Sequence, residues 1–432
     1  MGIEHRKTEE LFELISKAVS PFHTVAYACD ILEKEGFTKL EFHEKWELKK
    51  GGAYYLKLYD TSLFAFRIGR DLDEHMILRM AVAHTDFPAF RIKPSPEMQT
   101  NGYQKLNTEV YGGMVLNSWF DRPLSMAGKV TLKSGEIFSP KEVLIDFERP
   151  MMVIPGLAIH LNRDINKGVE WNKQKDILPI IGMEEEPEES FFHQLIAKEL
   201  GVCAGDILDF DLYTYNLDKP CCVGMNRELI LSPRLDDLVS VHALLHGLKG
   251  EVYGGDIHLV AFYDHEEVGS ESKQGAATNF TNVLLEKIFE SLGYDRIKLY
   301  EVLMDSLLVS LDVAHGFHPN FPEKYDPTNL AKLNHGVVIK VDTRQKYAYD
   351  TVSVAVIQQI CEEHNISYQK FANRSDATCG NTMGPIVSAL LPVRAIDLGI
   401  PLLSMHSAAE TIGEKDQQSM LELMQAFFSI RR

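Results

Sequence analysis

Five apolar, strand-like runs in this 432-residue chain each end in side chains that can hold a cation. MAVA runs into His84-Thr85-Asp86, LILSPRL into Asp236-Asp237, IHLVAFYD into His265-Glu266-Glu267, SLLVSL into Asp312, and PLLSM into His406. Two imidazoles among several carboxylates make a mixed nitrogen and oxygen donor set, suited to zinc and to cobalt or manganese in its place. If Asp236, Glu267 and Asp312 coordinate, their three charges plus one hydroxide cancel two divalent cations. Without metal, carboxylates crowded at one rim repel one another and hold protons instead. Two cations sharing a water lower its pKa to ~7, and a neighbouring carboxylate can take the released proton, which is hydrolytic chemistry. Singly these residues say little, because an aspartate ahead of a helix commonly just caps it. Their common position at strand ends carries the reading.

Such a rim needs a sheet behind it. In open α/β sheets, ligands bind at the carboxyl ends of the strands, where loops from several strands meet. From Leu231 onward, strand-like runs alternate with helices of about 12 to 15 residues, the rhythm of a parallel sheet. Near the N-terminus the pattern predicts an amphipathic helix from Thr8 to Ala18. A second helix follows, with Ser20 as N-cap, Pro21 at its first position and Gly36 at its end. Strands are predicted at 63–68 and 76–83, after which Pro88, Pro94 and Pro96 should break regular pairing. From about Arg91 to Met225 the texture changes to short β-like runs, VTLKS, EVLID, MMVIP and LAIHL, separated by turn residues. A charged loop runs from INKGVEWNKQKD to MEEEPEES, and one helix, Ser190 to Leu200, closes on Gly201. This stretch reads as a β module inserted into an α/β framework.

Bulk properties narrow the class. The chain exceeds the length at which one core stops growing, so two domains are expected. Sixty-two acidic against 44 basic residues leave a net charge of −18, which repels nucleic acid and anionic membranes. No apolar run approaches the ~20 residues that span a bilayer. The start, MGIEHRKTEE, has no signal-peptide core, and Arg6 occupies the position where a myristoylation signal needs Ser or Thr. Six sparse cysteines without a C-x-x-C read as reduced thiols, which places the protein in the cytoplasm. H-E-x-x-H, G-x-S-x-G, a P-loop and G-x-G-x-x-G are all missing, which argues against the enzyme classes they mark.

At these same residues the sequence resembles the aspartyl aminopeptidase family of zinc metallopeptidases, nearly end to end. The shared segments are SPFHTVAYACDILEKEGF, HTDFPAFRIKP, NSWFDRPLSMAGKV, LAIHLNRDIN, PRLDDL, YDHEEVGS, SLDVAHGFHPNFPEKYD, GVVIKVDTRQKYA, CGNTMGPI and LLSMHSAAE. The resemblance implies a catalytic domain of α/β/α type with a mixed sheet, formed by 1–92 and 231–432, and an inserted β-rich dimerisation domain at 93–230. It implies two zinc ions: His84 and Asp312 hold one, Glu267 and His406 the other, and Asp236 bridges them. Glu266 matches the general base, and Asp86 the carboxylate that orients His84. His160 matches a histidine that reaches into a neighbouring subunit's site. The resemblance also implies peptide substrates, self-association into dimers, and a tetrahedral dodecamer. This chain departs from the family's usual pattern at Asp237, where Asn is usual, at Ala409, where Arg commonly precedes the glutamate, and at Phe87, where Ser is common.

Acidic N-terminal residues, Asp or Glu, are the substrates the resemblance suggests, and Lys340 matches a family position near the pocket. His315 and His318, just past Asp312, either line that pocket or stabilise a turn, and His318 is retained as a substrate-binding candidate. Three alternatives stay open: preference for neutral N-termini, a deacylase or carboxypeptidase using Arg374 or Arg394 to bind a carboxylate, and a catalytically idle shell protein.

Overall fold

The computed structural model describes residues 3–184, 190–250, 254–378 and 380–430. The acidic stretch at 185–189 and Cys379 lie outside the described residues. The chain divides into two compact units. One comprises residues 1–86, 220–405 and 410–432; the other comprises 87–219 and 406–409. The sequence placed the divisions after 92 and 230. The compact units divide after 86 and 219, with His406 in the smaller unit.

The larger unit is built on a nine-stranded mixed sheet. Its order is Thr38–Lys39, Ala53–Leu58, Ser62–Ile68, Ile257–Tyr263, Leu78–His84, Leu307–Leu311, Arg394–Gly399, Val337–Val341 and Tyr368–Ala372. The four central strands, from Ile257–Tyr263 through Arg394–Gly399, are parallel to one another. Their residues are almost wholly buried, because helices cover both faces. Strand alternation divides the side chains between two cores. Met80, Val82, Leu259 and Leu308 pack with helices Phe280–Ser291, Arg296–Met304 and Met383–Leu390. Ala81, Ala83, Val260 and Val309 pack with helices Ile3–Lys17, Pro21–Lys34, Leu235–Gly247, Thr351–Glu363 and Glu414–Ser429. The result is a three-layer α/β/α arrangement. A separate five-stranded sheet in this unit joins Cys221–Val223, Leu229–Ser232, Glu410–Gly413, Pro401–Leu403 and Ala314–His315.

Local signals explain several boundaries. Ser20 accepts from the His23 amide and starts the helix at Pro21, which ends at Lys34, just ahead of Gly36 at φ +80°. The first helix begins at Ile3, earlier than the apolar periodicity suggested.

The smaller unit is a six-stranded antiparallel sheet in the order Lys141–Asp146, Leu124–Leu132, Ile207–Asn216, Ala89–Thr100, Tyr103–Tyr111 and Ile180–Met183. Helix Phe191–Leu200 buries Phe192 and Ile196 in its core. Pro94 and Pro96 lie inside the strand Ala89–Thr100, which tolerates them because its register shifts between Ile92 and Glu97. Two expected strands are corrected. MMVIP makes only isolated bridges through Met152 and Val153, and LAIHL is an exposed turn closed by the Leu161 amide on the Ala158 carbonyl.

Candidate metal centre

Three neighbouring strand ends of the larger unit supply the rim. Leu78–His84 ends on His84 itself, Leu307–Leu311 leads directly into Asp312, and Ile257–Tyr263 leads through Asp264 and His265 to a single 3-10 turn, Glu266–Val268. His265 enters that turn at φ +64° and Gly269 leaves it at φ +101°. Asp236 and Asp237 come from elsewhere, at the start of helix Leu235–Gly247, where both have non-helical dihedrals and share a cis peptide bond.

His84 is 1% exposed, and its ring is fixed by geometry. Nδ1 lies 3.0 Å from the main-chain oxygen of Asp86, so the N–H sits there and the Nε2 lone pair points the other way. Nε2 faces Asp236 Oδ1 at 3.3 Å, Asp237 Oδ2 at 4.0 Å and Asp312 Oδ1 at 4.0 Å. Donor atoms of His84, Asp236, Asp237 and Asp312 all lie within 4.8 Å of one another, as do those of His84, Glu266 and Glu267. One oxygen of the fully buried Asp237 has no hydrogen-bond partner among the described residues. Buried carboxylate oxygen atoms around an imidazole nitrogen fit a divalent cation, zinc among them.

Proton affinities record the crowding. Burial opposes charge on His84, but Asp237, Asp236, Asp86 and Glu266 outweigh it and lift the imidazole well above its usual range. Glu266 is pushed up to about 8, first by burial, then by Asp312, Asp86 and Asp236, against the opposing pull of His84. Asp237 rises well above the carboxylate range, mainly through burial and with Asp312 and Asp236 contributing. Metal-free, this cluster holds protons where a cation would otherwise sit.

Asp86 is fully buried and accepts the main-chain N–H groups of Glu266 and Glu267. Glu410, buried and without an assigned role in the sequence reading, accepts the Asp236 amide at 3.1 Å. Asp237 stood out in the sequence only as a departure from Asn. Its place in the donor cluster depends on the backbone path at 236–237, which no periodicity signals.

The remaining candidates are spread over several places. Lys340 is 2% exposed, with Nζ 3.6 Å from Asp312 Oδ2 and 5.3 Å from the Tyr347 ring centroid. His406, in the smaller unit, has Nδ1 2.8 Å from the Gly113 carbonyl oxygen, which leaves Nε2 as its lone-pair nitrogen. His160 lies on the exposed LAIHL turn. His318 accepts the Asn320 amide at Nδ1 and packs on Phe321, a turn-stabilising arrangement. Arg374 pairs with Asp376 and Arg394 with Asp350, so each guanidinium already has a carboxylate.

Residues 14–428 match the model of the aminopeptidase I zinc metalloprotease family, M18. A probable M18 family aminopeptidase 2 of Clostridium acetobutylicum is 43% identical over 425 residues, covering 98% of each chain. Among solved structures, the cryo-EM structure of the Ape4 and Nbr1 complex superposes with TM-score 0.93 at 30% identity, covering 98% of this chain and 86% of that one. The S. cerevisiae mApe1 dodecamer structure superposes with TM-score 0.85 at 25% identity, covering 98% and 96%.

Proposed function

This chain belongs to the M18 family of zinc aminopeptidases, and from that premise we propose a two-zinc enzyme that removes acidic residues, Asp or Glu, from peptide N-termini. The observation that supports the two-ion reading is the surplus of donors: His84 gathers Asp236, Asp237 and Asp312 on one side and Glu266 and Glu267 on another, more carboxylates than one four-coordinate zinc would use. In this reading His84 and Asp312 would hold one zinc, Glu267 and His406 would hold the second, and Asp236 would be shared between them. When bound, the two ions supply Lewis acidity and an activated water at neutral pH.

The chain's own residues do the rest. Glu266, a carboxylate beside His84 and the donor cluster, suits a group that takes a proton from water and returns it to the leaving amine. The Asp86 carbonyl, 3.0 Å from Nδ1, holds His84 in the tautomer whose Nε2 can donate a lone pair, with the Asp86 carboxylate 3.4 Å from the same nitrogen. Lys340 places a buried positive charge beside Asp312, and the substrate's acidic side chain is drawn to that charge. His160 acts in a neighbouring copy. In support, the apolar residues flanking it, Leu157, Ile159 and Leu161, are 55%, 52% and 76% exposed, a surface that association into dimers and a dodecamer would cover. A cytoplasmic location is supported by Cys29, Cys203, Cys221, Cys222 and Cys361, all free thiols.

One experiment tests the reading. Zinc content is measured and kcat/KM compared on Asp-, Glu-, Leu- and Lys-peptides, with and without chelator, while light scattering reports the assembly of the same sample. Two zinc ions per chain, chelator-sensitive turnover and a preference for Asp or Glu are expected. A Leu preference would replace the acidic assignment. No metal and no turnover after zinc addition would leave an idle shell protein.

A further inference from the structure

Asp86 stands two residues past His84, which suggests that its carboxylate exists to orient the imidazole. The distances divide the work differently. His84 Nδ1 is 3.0 Å from the Asp86 main-chain oxygen and 3.4 Å from Oδ1. A main-chain carbonyl is present whatever side chain occupies position 86, so the tautomer of His84 does not require the carboxylate. Both carboxylate oxygens are instead used by the main chain of another strand's loop: Oδ1 accepts Glu266 N at 3.2 Å, and Oδ2 accepts Glu267 N at 3.1 Å.

That loop needs holding. His265 enters it in the left-handed region, which a non-glycine residue occupies only when its surroundings enforce it. Asp264 Oδ1 accepts the His265 amide at 2.7 Å, and the His265 ring bonds Ser272 at 2.8 Å, which fixes the entrance to the turn. Asp86 fixes the next two residues, and a carboxylate is the side chain of this size with an acceptor for each amide.

We infer that Asp86 is a positioning residue whose carboxylate clamps the main chain of Glu266 and Glu267 against the His84 strand, and that orienting the imidazole falls mainly to its carbonyl. The inference deepens the proposed function and rests on it for the roles of Glu266 and Glu267. Asp86→Asn tests it with little change in shape: the amide keeps one acceptor and turns a donor toward the second main-chain N–H.

Hydrogen exchange is followed by mass spectrometry on the full chain, with and without zinc, alongside zinc titration and steady-state kinetics. In Asp86→Asn, exchange in segment 264–270 should quicken at least about tenfold while segment 78–85 keeps its rate. One zinc equivalent should weaken at least about tenfold. That loss should be non-additive with Glu267→Gln and additive with His84→Gln. kcat should fall with KM nearly unchanged. Unaltered exchange at 264–270, or coupling to His84→Gln in place of Glu267→Gln, would overturn the clamp. The exchange result stands even if the wild-type chain binds no zinc, so a failure of the clamp and a failure of the two-zinc reading are told apart.

Discussion

The strands Leu78–His84 and Ile257–Tyr263 lie side by side in parallel, and their two ends handle buried charge in opposite ways. At the starting end, where Arg79 is paired in register with His258, the Arg79 guanidinium is fully occupied. It bonds the Asp256 carboxylate at 2.7 Å and the carbonyls of Phe427 and Ile430 at 2.6 and 2.5 Å. His258 beside it, stacked on Phe428, is pushed down to about 3 by burial and then by Arg79 and Arg67, so it stays neutral. About 17 Å further along the strand, His84 meets Asp236, Asp237 and Asp312 and is driven the other way. One end balances its charges within the chain. The other gathers Asp86, Asp236, Asp237, Asp312, Glu266 and Glu267 near His84, with Lys340 beside Asp312, a surplus of carboxylates that suits added cations. Buried charge that closes on itself is architecture; buried charge left open is a site.

Mirror-image substitutions sharpen this contrast most. Glu266→Gln should lower kcat by about 10²–10⁴-fold while leaving zinc content and thermal stability close to wild type. Arg79→Met should do the reverse. It strands Asp256 without its cation and costs about 3–5 kcal/mol of stability, with kcat/KM per folded molecule unchanged. Denaturant unfolding and a peptidase assay on both proteins decide it. Stability loss in Glu266→Gln equal to that in Arg79→Met would erase the distinction between the two ends.

How readily each end could be read in the sequence follows from the same contrast. Central strands buried on both faces appear as largely apolar runs, so the polar residues at and just past their ends mark the rim, and His84, Asp312 and the His265-Glu266-Glu267 triplet stand out. The paired end was silent, because Arg79 and Asp256 are far apart in sequence and neither closes a motif. Asp237 and Glu410 were also illegible as site neighbours: one depends on irregular backbone at 236–237, the other on a strand of the second sheet returning beside Asp236. LAIHL reads as a strand by apolar composition, yet its Leu157, Ile159 and Leu161 are exposed and lie in no strand among the described residues. The β texture from about Arg91 to Met225 overlaps the smaller unit at 87–219, and the prolines expected to break pairing at 94 and 96 instead lie within Ala89–Thr100 at a register shift.

Metal removal breaks the comparison less severely, and with a definite pH signature. In the metal-free protein Glu266 keeps its proton up to about 8, whereas in the unfolded chain it loses it near its ordinary 4.5. Between those values the folded state binds more protons, so this contribution to stability declines as pH rises from about 4.5 to 8. His84, also raised, acts in the same direction. His258 acts oppositely: held neutral down to about 3, it costs stability as pH falls below 6.5. The stability of chelated protein in thermal unfolding should therefore decline as pH rises from about 4.5 to 8, its alkaline limb. Zinc at about 100 times its dissociation constant should restore about 2.7 kcal/mol and remove the alkaline decline, leaving the acid limb untouched. An alkaline limb that ignores zinc would mean the rim carboxylates are balanced within the chain after all.

The smallest effect concerns Asp237, the one carboxylate of the cluster that stands where the family pattern usually has Asn. Asn keeps an oxygen for the His84 amide, which now donates to Asp237 Oδ2 at 3.3 Å, so Asp237→Asn should leave the fold and the His84 geometry intact. It removes one buried acid whose neighbours, Asp312 and Asp236, already disfavour its charge. In the metal-free protein this should raise stability and flatten the alkaline decline, because the buried acid is held well above the carboxylate range. In the zinc-loaded protein the same change takes an anion away from two cations, so zinc affinity should drop, by tenfold or less. Opposite signs with and without metal are what an uncompensated charge at an open cluster requires. If Asp237→Asn instead destabilised both forms alike, Asp237 would belong with Arg79 and Asp256 among the charges that serve the fold.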